Sequence, residues 1–324
     1  MLPPNALRNL RTATCTKKNS TGGSYGQLSV AANQDFRALQ AGYGPEEIAK
    51  AGVLADSRWP GRLCGAWRDG DRRICTFWAR ALDDNESAGA RYLYLRGASR
   101  TNLPPYGVSE LLARPPDARH EIVVVEGFFD LHQLRARGIE NIAALGGTST
   151  SPRMFERLHQ LGIEAVTLCL DNDKAGRAGT ARAVEHSARA RQSPGVYVIE
   201  YDRLTPAKDP DELIRQRGPA AWRELLETRH CGISWRAQEL ARATPDLSTR
   251  ARRAALARAG SWLGTLPPRL AIEQEDALRA VAERCGYTPE AVERAFRARY
   301  WSRSLGRTQP SRVRQGPRTI ETGR

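Results

Sequence analysis

Apolar residues in the middle of the chain form four short, continuous runs, at residues 121–125, 142–145, 165–170 and 196–199. Between them, residues 131–137, 152–161 and 175–189 have the spacing of helices. Continuous apolar strands that alternate with helices are typical of a mainly parallel sheet covered on both faces. We therefore predict an α/β domain over residues 117–230.

The pattern differs on either side of this domain. Residues 34–116 contain a helix start at 44–49 and two strand-like runs, 62–68 and 72–82, joined by the turn residues Asp69-Gly70-Asp71. This pattern predicts an α+β subdomain. Residues 231–301 have helical spacing at 254–263 and 272–285, and Thr288-Pro289 begins a further helix, which predicts a helical bundle. Residues 1–33 and the basic tail 302–324 lack core-forming positions, so we expect both to be flexible.

Composition adds a strong positive charge to this picture. The net charge is +14 and the pI is near 10.0, which indicates a polyanionic partner such as nucleic acid. The segment 34–116 interleaves aromatic residues with arginines, and aromatic faces beside guanidinium groups suit a groove for single-stranded nucleic acid. The alternative is that the tryptophans are core residues and the arginines are merely solvated. The aromatic residues singled out here are Trp59, Trp67, Trp78, Tyr92, Tyr94 and Tyr106.

Two classes of protein are disfavoured. The chain has no apolar run of membrane-spanning length and no signal peptide, so we expect a cytoplasmic protein without a membrane partner. Its six cysteines never form a C-x-x-C pair, so we predict no structural zinc and interpret them as small apolar residues.

Acidic residues follow three of the predicted strands. They lie in Glu126-Gly127-Phe128-Phe129-Asp130, in Asp171-Asn172-Asp173 and in Asp209-Pro210-Asp211-Glu212. Since the carboxyl ends of parallel strands meet at one edge of a sheet, these acids are expected to converge there. Carboxylates together with substrate phosphates are the ligands that Mg²⁺ or Mn²⁺ prefers. Each segment, taken alone, is also compatible with an ordinary turn or a helix cap.

These segments, with Leu145-Gly146-Gly147-Thr148 and Ala175-Gly176, resemble the TOPRIM domain of bacterial DnaG-type primases. The resemblance extends over residues 40–298. It implies a TOPRIM parallel sheet flanked by an amino-terminal α+β basic subdomain and a carboxy-terminal helical bundle. It also implies synthesis of short RNA primers on a single-stranded DNA template from nucleoside triphosphates.

The resemblance assigns roles to residues. Glu126, Asp171 and Asp173 would be the catalytic metal ligands, with Asp130, Asp209 and Asp211 as additional ligands. The residues expected to bind template or nucleotide phosphates are Arg62, Arg68, Arg80, Arg91, Arg100, Lys174 and Arg177.

The sequence also departs from the family. Neither the usual zinc-binding domain nor the helicase-binding domain is evident, so we expect a replicative helicase or a zinc-bearing subunit to act in trans. Tyr94 stands where asparagine is usual, and Thr101 stands where lysine is usual. Two alternatives stay open: a TOPRIM nuclease of a mobile element or defence system, and a nucleic-acid-binding accessory subunit with an inert metal site. No G-x-x-x-x-G-K-[ST] motif supplies a helicase activity.

Overall fold

The computed structural model describes residues 26–27, 63–81, 90–94, 100–116, 119–199, 201–242 and 248–298. The flexible segments expected at 1–33 and 302–324 lie outside the described residues, apart from 26–27, as do the helix start at 44–49, Trp59 and Arg62. The chain divides into two compact units, Met1–Trp235 and Arg236–Arg324. The finer domain boundaries given above remain predictions.

The first sheet of the amino-terminal unit is antiparallel. Its strands are β1 (Gly26–Gln27), β2 (Leu63–Arg68), β3 (Ile74–Arg80) and β4 (Tyr92–Tyr94), hydrogen-bonded in that order. In the turn between β2 and β3, one Asp69 carboxylate oxygen accepts hydrogen bonds from the backbone amides of Asp71 and Arg73 at 2.9 Å each. This short side-chain turn holds the strands in register. The predicted hairpin is confirmed.

The second sheet has five strands in the order β6-β5-β7-β8-β9. They are β5 (Glu121–Val125), β6 (Ile142–Ala144), β7 (Ala165–Cys169), β8 (Gly195–Val198) and β9 (His230–Cys231). The first four are parallel, and β9 is an antiparallel edge strand. Every residue of β7, in the centre, is buried, as expected for a sheet covered on both faces. The predicted mainly parallel sheet is confirmed.

Helices connect these strands. They are α1 (Val108–Leu111), α2 (Phe128–Ala136), α3 (Pro152–Gln160), α4 (Lys174–Arg189), α5 (Tyr201–Leu204) and α6 (Pro210–Glu227). Helix α6 is kinked at Gly218, where φ is 80°. Each of the three helical stretches predicted between the strands is present.

Helix α7 (Gly232–Leu240) crosses the division between the units. The carboxy-terminal unit contains α8 (Thr249–Leu263), α9 (Ala271–Cys285) and α10 (Pro289–Phe296). Its buried positions include Leu263, Val281 and Phe296. The Thr288 hydroxyl accepts a hydrogen bond from the Ala291 amide, which caps α10 as the sequence predicts. No helix among the described residues is long and apolar enough to cross a membrane.

An aromatic cluster around Phe128 joins the two sheets. The Phe128 ring, at the start of α2, stacks on Trp78 of β3 with centroids 4.4 Å apart and is met edge-on by Trp67 and Tyr106. Trp67, Trp78 and Tyr106 are at most 6% exposed. They are therefore core residues and present no face to a nucleic acid base. For these three residues, the alternative interpretation given above, that the aromatic residues belong to the core, is confirmed. Tyr92 and Tyr94 are only half-buried.

Candidate metal and nucleotide site

The acidic segments converge at the carboxyl edge of the parallel sheet. Glu126 directly follows β5, and Asp171 lies two residues after the end of the neighbouring β7. Asp209 precedes α6, next to the loop that carries Asp171, because the Asn172 amide donates a 2.7 Å hydrogen bond to the Lys208 carbonyl. The parallel register of β5 and β7 thus brings together acids that are far apart in sequence.

Glu126 is a half-buried acid with one unpaired carboxylate oxygen. Its Oε2 atom is buried and has no hydrogen-bond partner. Burial, and then the nearby Asp171 carboxylate, raise the pKa of Glu126 to about 7. A bound cation would relieve both the desolvation and the like-charge repulsion.

Asp130 belongs to the same electrostatic group. Burial, and after it the neighbouring carboxylates of Asp209 and Asp171, together raise the pKa of Asp130 to about 7. Its Oδ2 atom accepts a 3.1 Å hydrogen bond from the Gly127 amide, which ties it to the first turn of α2. Asp130 is therefore fixed by the turn that follows Glu126.

Three of the predicted ligands already have internal partners. Asp173 caps α4 by accepting from the Gly176 amide at 2.8 Å, and Asp209 caps α6 by accepting from the Glu212 amide at 2.8 Å. The helix-cap interpretation is thus confirmed at both positions. Asp211 pairs with Arg137 at 3.0 Å. Capping occupies one carboxylate oxygen and leaves the other available for a cation.

Asp171 has a partner that the sequence did not reveal. The Lys208 ammonium lies 3.6 Å from Asp171 Oδ2. Burial raises the pKa of Asp171, while the Lys208 charge acts in the opposite direction. A lysine directly before the acidic segment at 209–212 was the available signal, but only the tertiary structure shows which acid it meets.

Two glycines allow close backbone approaches at this edge. A Cβ atom on Gly176 would lie 2.1 Å from the Asp171 carbonyl oxygen, so only glycine lets the first turn of α4 pack against that loop. Gly146 has φ 66°, and its amide and that of Gly147 both donate to the Glu126 carbonyl. These glycines therefore fix the backbone of the loops that carry Glu126 and Asp171, and their role is not limited to making space for a ligand.

The donor set suits a hard divalent cation, because every candidate ligand supplies carboxylate oxygen. Within the described ranges, no three His, Cys, Asp or Glu side chains are already arranged to hold a metal ion. Asp171, Asp173 and Asp211 each have an internal partner instead. The residues fit the cation in chemistry.

Some of the predicted basic residues line this edge. Arg80 pairs with Tyr92 in the sheet register, and its guanidinium lies 3.8 Å from the ring centroid of Phe129, next to Asp130. Arg91 precedes Tyr92 and is exposed. Charges of Asp130 and Asp171 reach Tyr92, whose pKa is raised mainly by burial. The end of β3 and the start of β4 therefore face the acids.

Arg100 is held by the loop after β6. Its guanidinium lies 3.6 Å from the Tyr94 ring centroid and donates to the Gly146 carbonyl at 3.2 Å, to which the Tyr94 hydroxyl also donates at 2.6 Å. The departure at Tyr94 thus creates a contact between the antiparallel sheet and the Gly146–Gly147 turn.

Among the other predicted basic residues that the structure describes, Arg68 lies away from this edge, whereas Lys174 and Arg177 lie at the start of α4, beside the loop that carries Asp171. Arg68 pairs with Ile74 at the turn end of the hairpin, whereas Arg80 pairs with Leu63 at the other end. Strand geometry separates such positions by roughly 15–20 Å, so Arg68 does not share the acidic edge. Arg177 donates to Asn172 and covers Tyr201, while Lys174 is exposed at the first turn of α4.

Comparisons with known proteins identify similar sequences and folds. A family model described as Toprim-like matches residues 123–214. The chain is 32% identical over 173 residues to a DNA primase of Pseudomonas aeruginosa; the aligned region covers 52% of this chain and 25% of that relative. The chain is 25% identical over 265 residues to a DNA primase of Deinococcus radiodurans, and this alignment covers 78% of the chain and 44% of the relative.

Solved structures show the same fold. A DNA primase domain from Pseudomonas aeruginosa matches with a TM-score of 0.65 at 24% identity, over 90% of this chain and 91% of that one. A DnaG catalytic core matches with a TM-score of 0.64 at 21% identity, over 90% and 93%. The chain thus contains a Toprim-like region, shares its fold with the DnaG catalytic core, and is similar to curated DNA primases. It spans about a quarter of the length of the first of the curated primases it matches.

Proposed function

We propose that this chain is a metal-dependent nucleotidyltransferase that synthesises short RNA primers on single-stranded DNA, and is thus a DNA-directed RNA polymerase of the primase type. The observation that carries the proposal is the acidic edge within the Toprim-like region, where the unpartnered, buried Glu126 Oε2 lies beside Asp171. A related structure is titled as a DnaG primase catalytic domain bound to single-stranded DNA, which supports the choice of template.

Glu126 and Asp171 would hold Mg²⁺ or Mn²⁺, with Asp173, Asp130 and Asp209 completing the ligand set. The cation supplies Lewis-acid stabilisation of the charge that develops on the transferred phosphoryl group. Asp211 is proposed as an additional ligand that acts only when released from Arg137.

The chain's own residues orient the reactants. Arg80 and Arg91, beside Tyr92, present positive charge to the phosphates of the template or nucleotide. Arg100 holds the Gly146 carbonyl and thereby supports the turn whose amides bind the Glu126 backbone. Arg80 and Arg91 lie at the same edge as the acids. A template strand and a nucleotide that react at one metal site require such an arrangement.

The proposal includes a cytoplasmic location and a partner in trans. Phosphate contacts position a nucleic acid without reading its sequence, so selective initiation would need base contacts from a replicative helicase complex or a zinc-bearing subunit. Priming by the purified chain should accordingly be weak and show little sequence preference. Efficient, start-site-specific synthesis by the chain alone would contradict this part of the proposal.

The test is incorporation of labelled ribonucleotides on a defined single-stranded template with Mg²⁺ or Mn²⁺. Wild-type protein should extend or prime, and Asp171→Asn should fall to background while its single-strand binding and thermal unfolding stay close to wild type. Conversion of the labelled strands to shorter fragments would instead identify a nuclease. Wild-type turnover by Asp171→Asn would refute the assignment.

A further inference from the structure

Lys208 is anchored at the acidic edge by its backbone, while its side chain is largely exposed. Its carbonyl accepts a 2.7 Å hydrogen bond from the Asn172 amide, and its own amide donates to Glu212 Oε2 at 2.7 Å. The side chain is 62% exposed. The flexible four-carbon stem of a lysine so anchored lets the ammonium move while the backbone stays in place.

The present contact of Lys208 is with a residue that the cation needs. Its ammonium lies 3.6 Å from Asp171 Oδ2, and Asp171 is a predicted metal ligand. An ammonium and a divalent cation compete for the same carboxylate oxygen and repel each other when both are close. Metal binding at Asp171 must therefore displace the Lys208 ammonium.

A displaced ammonium at this position remains next to the metal. The anion that accompanies a divalent cation in a nucleotidyl-transfer site is a polyphosphate, and a compact ammonium with three donors suits its oxygens. Arg177 of α4, which contacts the same loop, already donates to Asn172 Oδ1 and covers the Tyr201 ring. It is less able to turn toward a ligand.

We propose that Lys208 neutralises Asp171 in the metal-free protein and, when a divalent cation takes its place, turns to bind the phosphate oxygens of a nucleoside triphosphate. The second half rests on the proposed function, whereas the competition with the cation does not. Lys208 thus serves as a counter-ion first and as a nucleotide ligand afterwards.

The chain offers a closely matched control. Arg189, near the other end of α4, pairs with Glu185 at 3.5 Å and is 64% exposed, against 3.6 Å and 62% for Lys208. It lies fifteen residues beyond Lys174, which places it about 22 Å along the helix from the acidic edge. Arg189→Met removes the same charge at the same exposure but away from the site.

The experiment uses the full chain in three variants, Lys208→Met, Lys208→Arg and Arg189→Met. Mn²⁺ binding without nucleotide is measured by the loss of the free-ion electron paramagnetic resonance signal. Lys208→Met should bind Mn²⁺ about threefold to tenfold more tightly, the range expected when one nearby solvated unit charge is removed. Arg189→Met should bind Mn²⁺ like the wild type.

The same proteins are then titrated with ATP at saturating Mg²⁺, without template, by calorimetry. Lys208→Met should bind ATP at least threefold more weakly, and Lys208→Arg should retain most of the affinity. A disturbed fold would lower both affinities, which thermal unfolding would reveal, whereas the proposal requires them to change in opposite directions.

Unchanged or weaker Mn²⁺ binding by Lys208→Met would overturn the counter-ion role. Unchanged ATP binding would overturn the ligand role. If wild-type protein binds Mn²⁺ and ATP but incorporates no nucleotide, the proposed polymerase activity fails while both binding results still decide the role of Lys208.

Discussion

Replacing Gly176 by alanine tests how tightly the loop that carries Asp171 is packed against α4. In an ordinary helix this change stabilises by about 1 kcal/mol, because alanine has the higher helix propensity. Here the added Cβ atom would lie 2.1 Å from the Asp171 carbonyl oxygen and 2.9 Å from the Asp171 backbone carbon and nitrogen. These are backbone atoms, so no side-chain rotation can relieve the clash.

The opposing contributions can be compared. Forcing extra volume into a packed position costs about 1–3 kcal/mol. The shift would also weaken the cap in which the Gly176 amide donates to Asp173 at 2.8 Å, which contributes about 1 kcal/mol. After subtraction of the propensity gain, Gly176→Ala should lower the free energy of unfolding by about 1–3 kcal/mol. It should also move Asp171 and weaken Mn²⁺ binding.

Urea unfolding and Mn²⁺ titration measure the two effects. Gly195→Ala is the control, because the nearest atoms to its added Cβ are 3.4 Å away or more, an ordinary contact distance, and it lies at the amino end of β8. Its unfolding free energy should change by no more than about 0.5 kcal/mol. If Gly176→Ala were as stable as the wild type and bound Mn²⁺ normally, the close approach of α4 to the Asp171 loop would be wrong.

Three further predictions concern charge and packing. Because the pKa values of Glu126 and Asp130 are raised to about 7, the folded metal-free protein holds more protons than the unfolded chain. Its free energy of unfolding should therefore fall by about 2 kcal/mol between pH 4.5 and 8. Mg²⁺ should restore more of the lost stability at pH 8 than at pH 6. A stability that does not change with pH in urea titrations would contradict this prediction. Single-strand affinity should fall by about 0.7 log units per log unit of salt for each phosphate contact. In fluorescence anisotropy, Arg91→Gln should reduce that slope by the amount of one contact, and an unchanged slope would show that Arg91 makes no phosphate contact. Phe128→Ala should lower the free energy of unfolding by about 3–5 kcal/mol in urea titrations, because it leaves a large cavity in the core. Phe128→Leu, which is also apolar but fills more of the space, should lower it by less.

The backbone at the site could be predicted from sequence because local patterns determine it. Continuous apolar runs specified the strands, and the acids that follow those strands were expected at one edge of the sheet; the structure adds that Glu126 and Asp171 follow neighbouring strands. The helix cap at Asp209 was also evident as a local signal. The strands and the cap depend on residues within a few positions of one another.

Side-chain partners between distant segments could not be predicted in this way. The pairing of Asp211 with Arg137, or of Asp171 with Lys208, depends on how helices pack, and no local spacing records it. The same applies to Trp67 and Trp78, since an aromatic residue on a basic strand has the same sequence signature whether it faces a ligand or the core. The family resemblance grouped Arg68 with Arg80, yet the hairpin register separates them.

The stacking of Phe128 on Trp78 has a consequence for dissecting the molecule into fragments. Phe128 lies two residues from both Glu126 and Asp130, so the acidic loop and the arginine-bearing hairpin share one set of buried rings. A fragment that begins after β4 would leave the Phe128 ring and the adjoining face of Tyr106 open to water, inviting self-association. Exchanging the hairpin for that of another protein would likewise succeed only if the donor supplied rings of matching shape. The hairpin and the acidic loop of this chain are thus packed around the same rings, and neither can be exchanged without matching rings in the other.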